Sequence, residues 1–405
     1  MRYDTVIIGG GLSALMSGIE LARNNKRVAL VATGHSSLHF SSCSFGLYNA
    51  AEPLKAIEAL PESHPYSKLT AEQIECYTDR ATEILNIAGI ATVGNAEANH
   101  YIMTPTGQMR PCWLSLEGAL SSNSANSIDY KSVAILYPEG FLDFYAQFIL
   151  DSLCAMGCKC TLNTFALPEL TIRRNNPTEM RSVQVARTLD KQDNLNALAS
   201  IIAREAGEAE AVVLPAILGF DSTDVRQQLA KMVNKEILYI PTLLTSVEGV
   251  KMERALRRTF ESMGGTIFMG HSAVSHTMNE QGVASITTSK DITLTAENFI
   301  LASGSFIGGG LTADRQHIDE PLFGADIVPC ADGEYTTRNI FDPQPFMSYG
   351  VATDSAFHLV VKGQPIDNLY ACGAILSGFN PVKEGCGAGV AMLTALKIAD
   401  DIINR

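Results

Sequence analysis

Tyr3-Asp4-Thr5-Val6-Ile7-Ile8 runs straight into Gly9-Gly10-Gly11-Leu12-Ser13-Ala14, and this junction decides the fold. The first six residues have the β-branched, apolar character of a buried parallel strand. Leu15 to Asn24 reads as a helix, and Arg27 to Ala32 is a second apolar run. Strand, glycine turn, helix and strand in about thirty residues form the unit that binds a dinucleotide or flavin pyrophosphate. Gly9 permits the tight turn and Gly11 lets the backbone approach a phosphate. Ala14 takes the third small position, where helix and strand must pack. A phosphate would sit on free N–H groups at the helix N-terminus, around Leu12 and Ser13.

One departure bears on the cofactor. Such units usually end the second strand with Asp or Glu, which bonds the adenosine ribose hydroxyls. Here the strand ends Val31-Ala32-Thr33-Gly34-His35, with no carboxylate. Either another residue holds the ribose or there is no adenosine to hold. FMN has one phosphate and no adenosine, so this absence leans the expectation toward FMN, with FAD as the alternative.

The chain has 405 residues, 46% hydrophobic and 18% charged, which is a globular composition with length for two or three cores. Thirty Lys+Arg against forty-three Asp+Glu give a net charge of −13. That balance disfavours sequence-independent nucleic-acid binding and direct docking on anionic lipid. Small acidic substrates stay open, because a few local Arg or Lys can overcome the global charge. The N-terminal apolar run lacks a basic flank, and no window is long and apolar enough to span a membrane. Nine cysteines without a secretion signal suggest free thiols in a reducing compartment. The expected location is cytoplasmic, with any contact to the inner face of the membrane made through a partner.

After the Ser-rich loop, residues from about 50 to 245 show helical stretches and polar turns without a second glycine fingerprint. Glu72 to Ala88 and Gly140 to Met156 have helical spacing, and Asn175 to Asn196 begins as a loop. The nucleotide-binding pattern resumes with a helix over Lys251–Met263 and a strand over Thr266–Met269. A hairpin over Val283–Thr288 and Asp291–Thr295 follows, then a buried strand ending Ala302-Ser303-Gly304. Asn368 to Ala374 repeats that design, and Glu384-Gly385-Cys386-Gly387-Ala388-Gly389 opens a helix over Val390–Ile403. The expected fold class is α/β, a Rossmann-like FAD/NAD(P)-binding flavoprotein fold with an inserted cap or substrate domain. Its flavin-binding domain would comprise 1–50, 246–310 and 350–405, and the cap 51–245 and 311–349.

This order of elements resembles the two-domain flavoproteins that include fumarate-reductase-like enzymes. Ser37-Leu38-His39-Phe40-Ser41-Ser42, Ser303-Gly304-Ser305-Phe306, Pro343-Gln344-Pro345-Phe346 and Glu384-Gly385-Cys386-Gly387 resemble the B-subunit family of bacterial anaerobic glycerol-3-phosphate dehydrogenases. The resemblance implies quinone-linked oxidation of sn-glycerol 3-phosphate to dihydroxyacetone phosphate. It also implies FMN in this chain, a larger FAD-containing catalytic subunit, and an iron–sulfur membrane-anchor subunit as partners.

Flavin oxidation of a secondary alcohol needs a hydride path, a base for the hydroxyl proton and stabilisation of the reduced ring. Gly387, Ala388 and Gly389 suit the third task, since a helix N-terminus favours an anion and small residues admit a ring. Gly304, Gly373 and Ala374 are further candidate cofactor contacts, beside Thr33 and Gly34. His39 is the candidate base and a flavin contact, with Ser41 and Ser42 near it. His271, His317 and His358 are alternatives without a supporting local pattern. A substrate phosphate calls for Arg, whose planar fork matches its oxygens, and Arg315 is the first choice with Lys383 second. Each is equally readable as a solvated charge. Cys154, Cys158 and Cys160 do not have zinc or ferredoxin spacing, so no metal is expected. Cys43, Cys372 and Cys386 form no Cys-x-x-Cys pair, which disfavours disulfide-reductase chemistry. Two other functions compete: a free-standing FAD oxidoreductase of the fumarate-reductase type, and a non-catalytic relay or scaffold subunit.

Overall fold

A computed structural model describes residues 1–42, 44–222, 224–328 and 335–405, so Cys43 lies outside the described residues. The chain forms two compact units. The first comprises Met1–Leu38, Phe45–Ala91 and Glu253–Arg405, and the second His39–Ser44 and Thr92–Met252. The helix Ala71–Ile87 and residues 335–349, which the sequence reading gives to the cap, pack in the first unit.

An eight-stranded sheet organises the first unit. Strand β1 (Arg2–Ile8) leads through the glycine turn into helix α1 (Leu12–Arg23) and strand β2 (Val28–Ala32). β1 lies between β2 and strand β3 (Thr293–Leu301), parallel to both. Strand β4 (Gln364–Ala371) continues the parallel order beyond β3, and Thr266–Met269 continues it beyond β2. Val6 to Ile8, Val28 to Ala32, Phe299 to Leu301 and Leu369 to Ala371 are all buried, as continuous apolar runs are when both faces of a parallel sheet are covered. Gly282–Thr288 pairs antiparallel with β3, so the expected hairpin is present. Its second arm, though, is the start of β3 itself. The strand alternates exposed and buried residues over Thr293–Glu297, then becomes wholly buried from Phe299. That change of pattern makes one strand read as two.

Helix α1 buries every residue from Ser13 to Ala22, partly against helix α2 (Gly387–Ile403). Gly18 makes room there for the Phe260 ring, from which a Cβ would stand 3.0 Å. The same helix buries a charge. Glu20 is 2% exposed, with Arg23 at 3.0 Å and Arg80 of the helix Ala71–Ile87 at 3.3 Å. Arg80 also pairs with Asp400 on α2, so one guanidinium ties three helices. Burial raises the Glu20 carboxyl above its usual range.

The second unit holds a feature the sequence reading missed. Lys159–Phe165, Ser132–Pro138, Ala211–Pro215 and Glu236–Ile240 form, in that order, a parallel four-stranded sheet. Its strands are five to seven residues long and follow no glycine fingerprint, so short apolar runs gave little signal. Asn175 to Asn196, expected to begin as a loop, contains the helix Ser182–Leu189 and the start of Gln192–Glu205. Among the described residues no helix is long and apolar enough to cross a membrane.

The glycine turn offers a direct check on this fold. Gly9 has φ +135°, and a Cβ there would stand 2.1 Å from the Ala302 carbonyl oxygen, whereas one on Gly34 would meet nothing within 4 Å. Gly9→Ala should therefore lower stability by about 2–4 kcal/mol in urea titration, and Gly34→Ala should stay within about 0.5 kcal/mol of the wild type. Equal effects of the two substitutions would contradict the strand-end packing.

Candidate functional site

Strand register brings three distant glycine segments to one edge. Ile8 pairs with Leu301, and Leu301 pairs with Ala371, so β1, β3 and β4 end in line. Gly9-Gly10-Gly11, Ser303-Gly304 and Gly373-Ala374 therefore leave the sheet side by side, at the carboxyl ends where parallel α/β sheets bind ligands. Gly9 donates its N–H to the Val31 carbonyl at 2.9 Å. Gly11 is the N-cap of α1 and has no side-chain cap, and α1 has no acidic residue in its first turn. The opening N–H groups of a helix have no partner within it, so those of Leu12, Ser13 and Ala14 face an anion-compatible end. A Cβ on Gly11 would find only Ser36 Cβ, at 3.9 Å. Ser303, whose backbone N lies against Gly9, has a buried Oγ near Gly310 without a hydrogen-bond partner among the described residues. Open backbone, unpaired donors and an orphaned hydroxyl are what a bound pyrophosphate requires, and these residues fit one.

The other expected contacts divide. Gly373 (φ +75°) is buried; its N–H reaches Thr394 Oγ1 at 3.1 Å, and a Cβ would stand 2.6 Å from Ser13 Oγ. Ala374 is exposed beside it. Gly304 (φ +78°) turns the chain after β3, with the Gly310 backbone folded against its carbonyl. Gly387 and Ala388 open α2 half-buried. Gly389 differs, because its N–H is committed to the Gly46 carbonyl at 2.9 Å and a Cβ would meet Tyr66 Oη at 2.2 Å. Its small size serves packing against Tyr66. Thr33 and Gly34 are exposed at the end of β2. His39, Ser41 and Ser42 belong to the second unit, where the His39 carbonyl accepts the Ser246 N–H at 2.9 Å and Ser42 Oγ lies 3.1 Å from Ser44 Oγ. Lys383 is exposed, its N–H on Asn380 Oδ1.

Arg315 lines a cavity of about 1070 Å³ within the first unit. Its walls include Phe306, Tyr335, Thr337 and Phe346, together with Arg338, which the sequence reading passed over. Neither arginine has an ion-pair partner among the described residues. Asp314, the nearest acid in sequence, is committed to the N–H groups of Gln316 and His317. No local pattern marked Arg338; only folding puts it in the same cavity.

A second group missed in the sequence supports the opening of α2. His64, 1% exposed, accepts the Tyr66 N–H on Nδ1 at 3.1 Å, so its neutral ring donates through Nε2 to Glu384, 3.2 Å away. The other Glu384 oxygen accepts the Asn380 N–H at 3.1 Å. Burial alone would raise this carboxyl, but the His64 and Asn380 hydrogen bonds hold it below its usual value. Cys386 donates toward Glu384 at 3.6 Å, and burial with that neighbouring charge pushes its thiol up. Burial likewise raises the Cys372 thiol to about 12. Both stay protonated at neutral pH, and a protonated thiol is a poor nucleophile. The alternative histidines have structural partners: His271 faces Thr288, His317 lies near Asp314, and His358 sits between Asp354 and Arg405. Cys158 and Cys160 direct their thiols at backbone carbonyls.

Beyond the second strand the structure corrects the premise of the FMN expectation. No carboxylate follows β2 in sequence, but one stands there in space. Glu253, from the helix Val247–Ser262, accepts the Ser36 N–H at 2.9 Å and O–H at 2.7 Å, and its other oxygen meets His35 Nδ1 at 2.9 Å.

Residues 4–390 match the family described as FAD binding domain. The chain is 37% identical to the B subunit of the anaerobic glycerol-3-phosphate dehydrogenase of Pectobacterium atrosepticum, across 100% of this chain and 99% of that one. It is 36% identical to the protein of the same name from Yersinia enterocolitica, with the same coverage. Among solved structures, 3-ketosteroid Δ1-dehydrogenase from Sterolibacterium denitrificans aligns with 100% of this chain and 99% of its own, at 11% identity and TM-score 0.46.

The Glu384 network makes a pH-dependent prediction. A carboxyl held below its unfolded value adds stability above the ordinary glutamate range, and loses it as pH falls through the folded value. Glu384→Gln should cost about 1–3 kcal/mol at pH 7, and the gap to wild type should narrow as the pH drops below the usual glutamate range. Urea midpoints measured at several pH values test this, and a pH-independent gap would contradict the charged pairing.

Proposed function

The chain belongs to the FAD-binding-domain family and to the B-subunit family of anaerobic glycerol-3-phosphate dehydrogenases, and from that premise we propose that it is a flavin-binding subunit of an enzyme oxidising sn-glycerol 3-phosphate to dihydroxyacetone phosphate. FAD is the proposed form. The matched family is an FAD-binding one, and Glu253 answers the missing-carboxylate argument for FMN. When bound, the flavin supplies the acceptor for the hydride of a secondary alcohol. The N–H groups at the start of α1 would take its pyrophosphate, and Gly304, Gly373 and the opening of α2 would border the ring. His39 is our candidate for the hydroxyl proton, on the strength of its Ser-rich motif. Lys383 is a second candidate cation. Electrons would pass to an iron–sulfur partner and a quinone at the inner face of the membrane, alongside a larger catalytic subunit.

The observation that carries the substrate assignment is the Arg315–Arg338 cavity. Two guanidiniums without partners among the described residues suit a phosphomonoester, which takes paired N–H donors from each. A relay subunit needs a flavin but no such arginines, so this cavity favours direct contact with substrate.

The test uses the assembled complex with an artificial electron acceptor. Released cofactor should have the mass of FAD, and sn-glycerol 3-phosphate should be oxidised while glycerol is not. Arg315→Gln should raise KM about 10–100-fold with a smaller change in kcat, as loss of a charged hydrogen bond implies. An unchanged KM in Arg315→Gln and Arg338→Gln would move this chain to the relay reading, and no oxidation at all would end the assignment.

A further inference from the structure

Glu253 does more than stand where a carboxylate is missing. It is 2% exposed, with Arg257 Nη1 at 3.4 Å behind it, and its two oxygens already receive His35 and both donors of Ser36. A carboxylate so engaged has few lone pairs left for a ligand. It does fix the state of Ser36. The Ser36 proton points at Glu253 at 2.7 Å, which leaves the hydroxyl oxygen as an acceptor only. One of its lone pairs faces the Leu38 N–H at a long 3.3 Å, and another remains.

The position of the Ser36 side chain matters. Ser36 Cβ is the nearest atom to the open face of Gly11, where the pyrophosphate would lie, and Thr33-Gly34-His35 beside it is exposed. A hydroxyl that donates to an anion becomes a stronger acceptor, because hydrogen bonds in a chain polarise one another. We propose that Ser36 Oγ, made an obligate acceptor by Glu253, receives an adenosine ribose hydroxyl of the cofactor in place of the usual strand-end carboxylate. Ser36 would touch the cofactor, and Glu253 would act through it as a positioning residue. The proposal rests on the FAD reading, and it assigns the adenosine end of that cofactor to a serine–glutamate relay.

FMN lacks the ribose in question, so the two flavins separate this role from a merely structural one. The full-length chain, freed of flavin, is titrated with FAD and with FMN by fluorescence quenching. Wild type should prefer FAD. Ser36→Ala should weaken FAD about tenfold, the worth of one polarised hydrogen bond, and leave FMN unchanged. Glu253→Gln should move the FAD/FMN ratio in the same direction. A wild type that prefers FMN overturns the FAD reading and the proposal with it. If wild type prefers FAD but Ser36→Ala keeps the ratio, the serine assignment alone falls. Parallel losses of both flavins would show that Ser36 and Glu253 only hold the loop together.

Discussion

The parallel pairing of Thr5–Ile8 with Asn298–Leu301 is the constraint on which the first unit depends. It joins the N-terminus to residues almost three hundred positions away, so its closure entropy must be offset by burial where the two strands pair at their carboxyl ends. The sequences fit that demand, since the paired residues Val6 to Ile8 and Phe299 to Leu301 are all buried. The register then fixes function as well as stability. Because Ile8 and Leu301 end level, Gly9 must pass against the Ala302 carbonyl, and only a residue without a Cβ can do so. A slip of one residue would turn every side chain over and separate the glycine turns.

Buried charge follows the same logic of mutual dependence. Glu20, Glu253 and Glu384 are each drawn from water and each answered by donors from another part of the chain. Removing ions from water is costly, so such pairs are weak sources of net stability. Their effect is on arrangement. Glu20 with Arg80 and Asp400 fixes helices around α1 and α2. Glu384 with His64 fixes the turn before α2, and Glu253 fixes the loop after β2. Glu253 and Glu384 hold the loop after β2 and the turn before α2, whereas Glu20 lies in the last turns of α1, away from the glycine turn.

What the sequence made legible follows from how each signal is written. The βαβ unit, the strand Thr266–Met269 and the paired ends of β3 and β4 are local patterns, so they could be read directly. The four-stranded sheet of the second unit was lost as a sheet because its strands are short, although Gly157 marks the start of the one over Lys159–Phe165. Gly389 reads as a ring contact, yet Tyr66 claims the space, and a distant tyrosine leaves no mark in a linear motif. His64 and Arg338 were missed for the same reason. The carboxylate expected at the end of β2 is the sharpest case. Its absence from positions 33–35 is correct as sequence and misleading as chemistry, since Glu253 arrives from more than two hundred residues away.

That case bears on how net charge should be read. At −13 the chain as a whole repels anions, yet its proposed ligands are a pyrophosphate and a phosphomonoester. Exposed charges more than about 8–10 Å apart are largely screened at physiological salt, so the overall balance governs solubility and encounter more than a site's affinity. What decides an anion site is whether its donors are already answered. At α1 the N–H groups have no side-chain cap, and in the Arg315–Arg338 cavity the nearby Asp314 is spent on its own turn. At Ser36 the carboxylate is set one atom back, so the ligand meets a neutral oxygen and the negative charge stays buried. An acidic protein can in this way offer an acceptor to a ribose without placing a full charge beside the diphosphate.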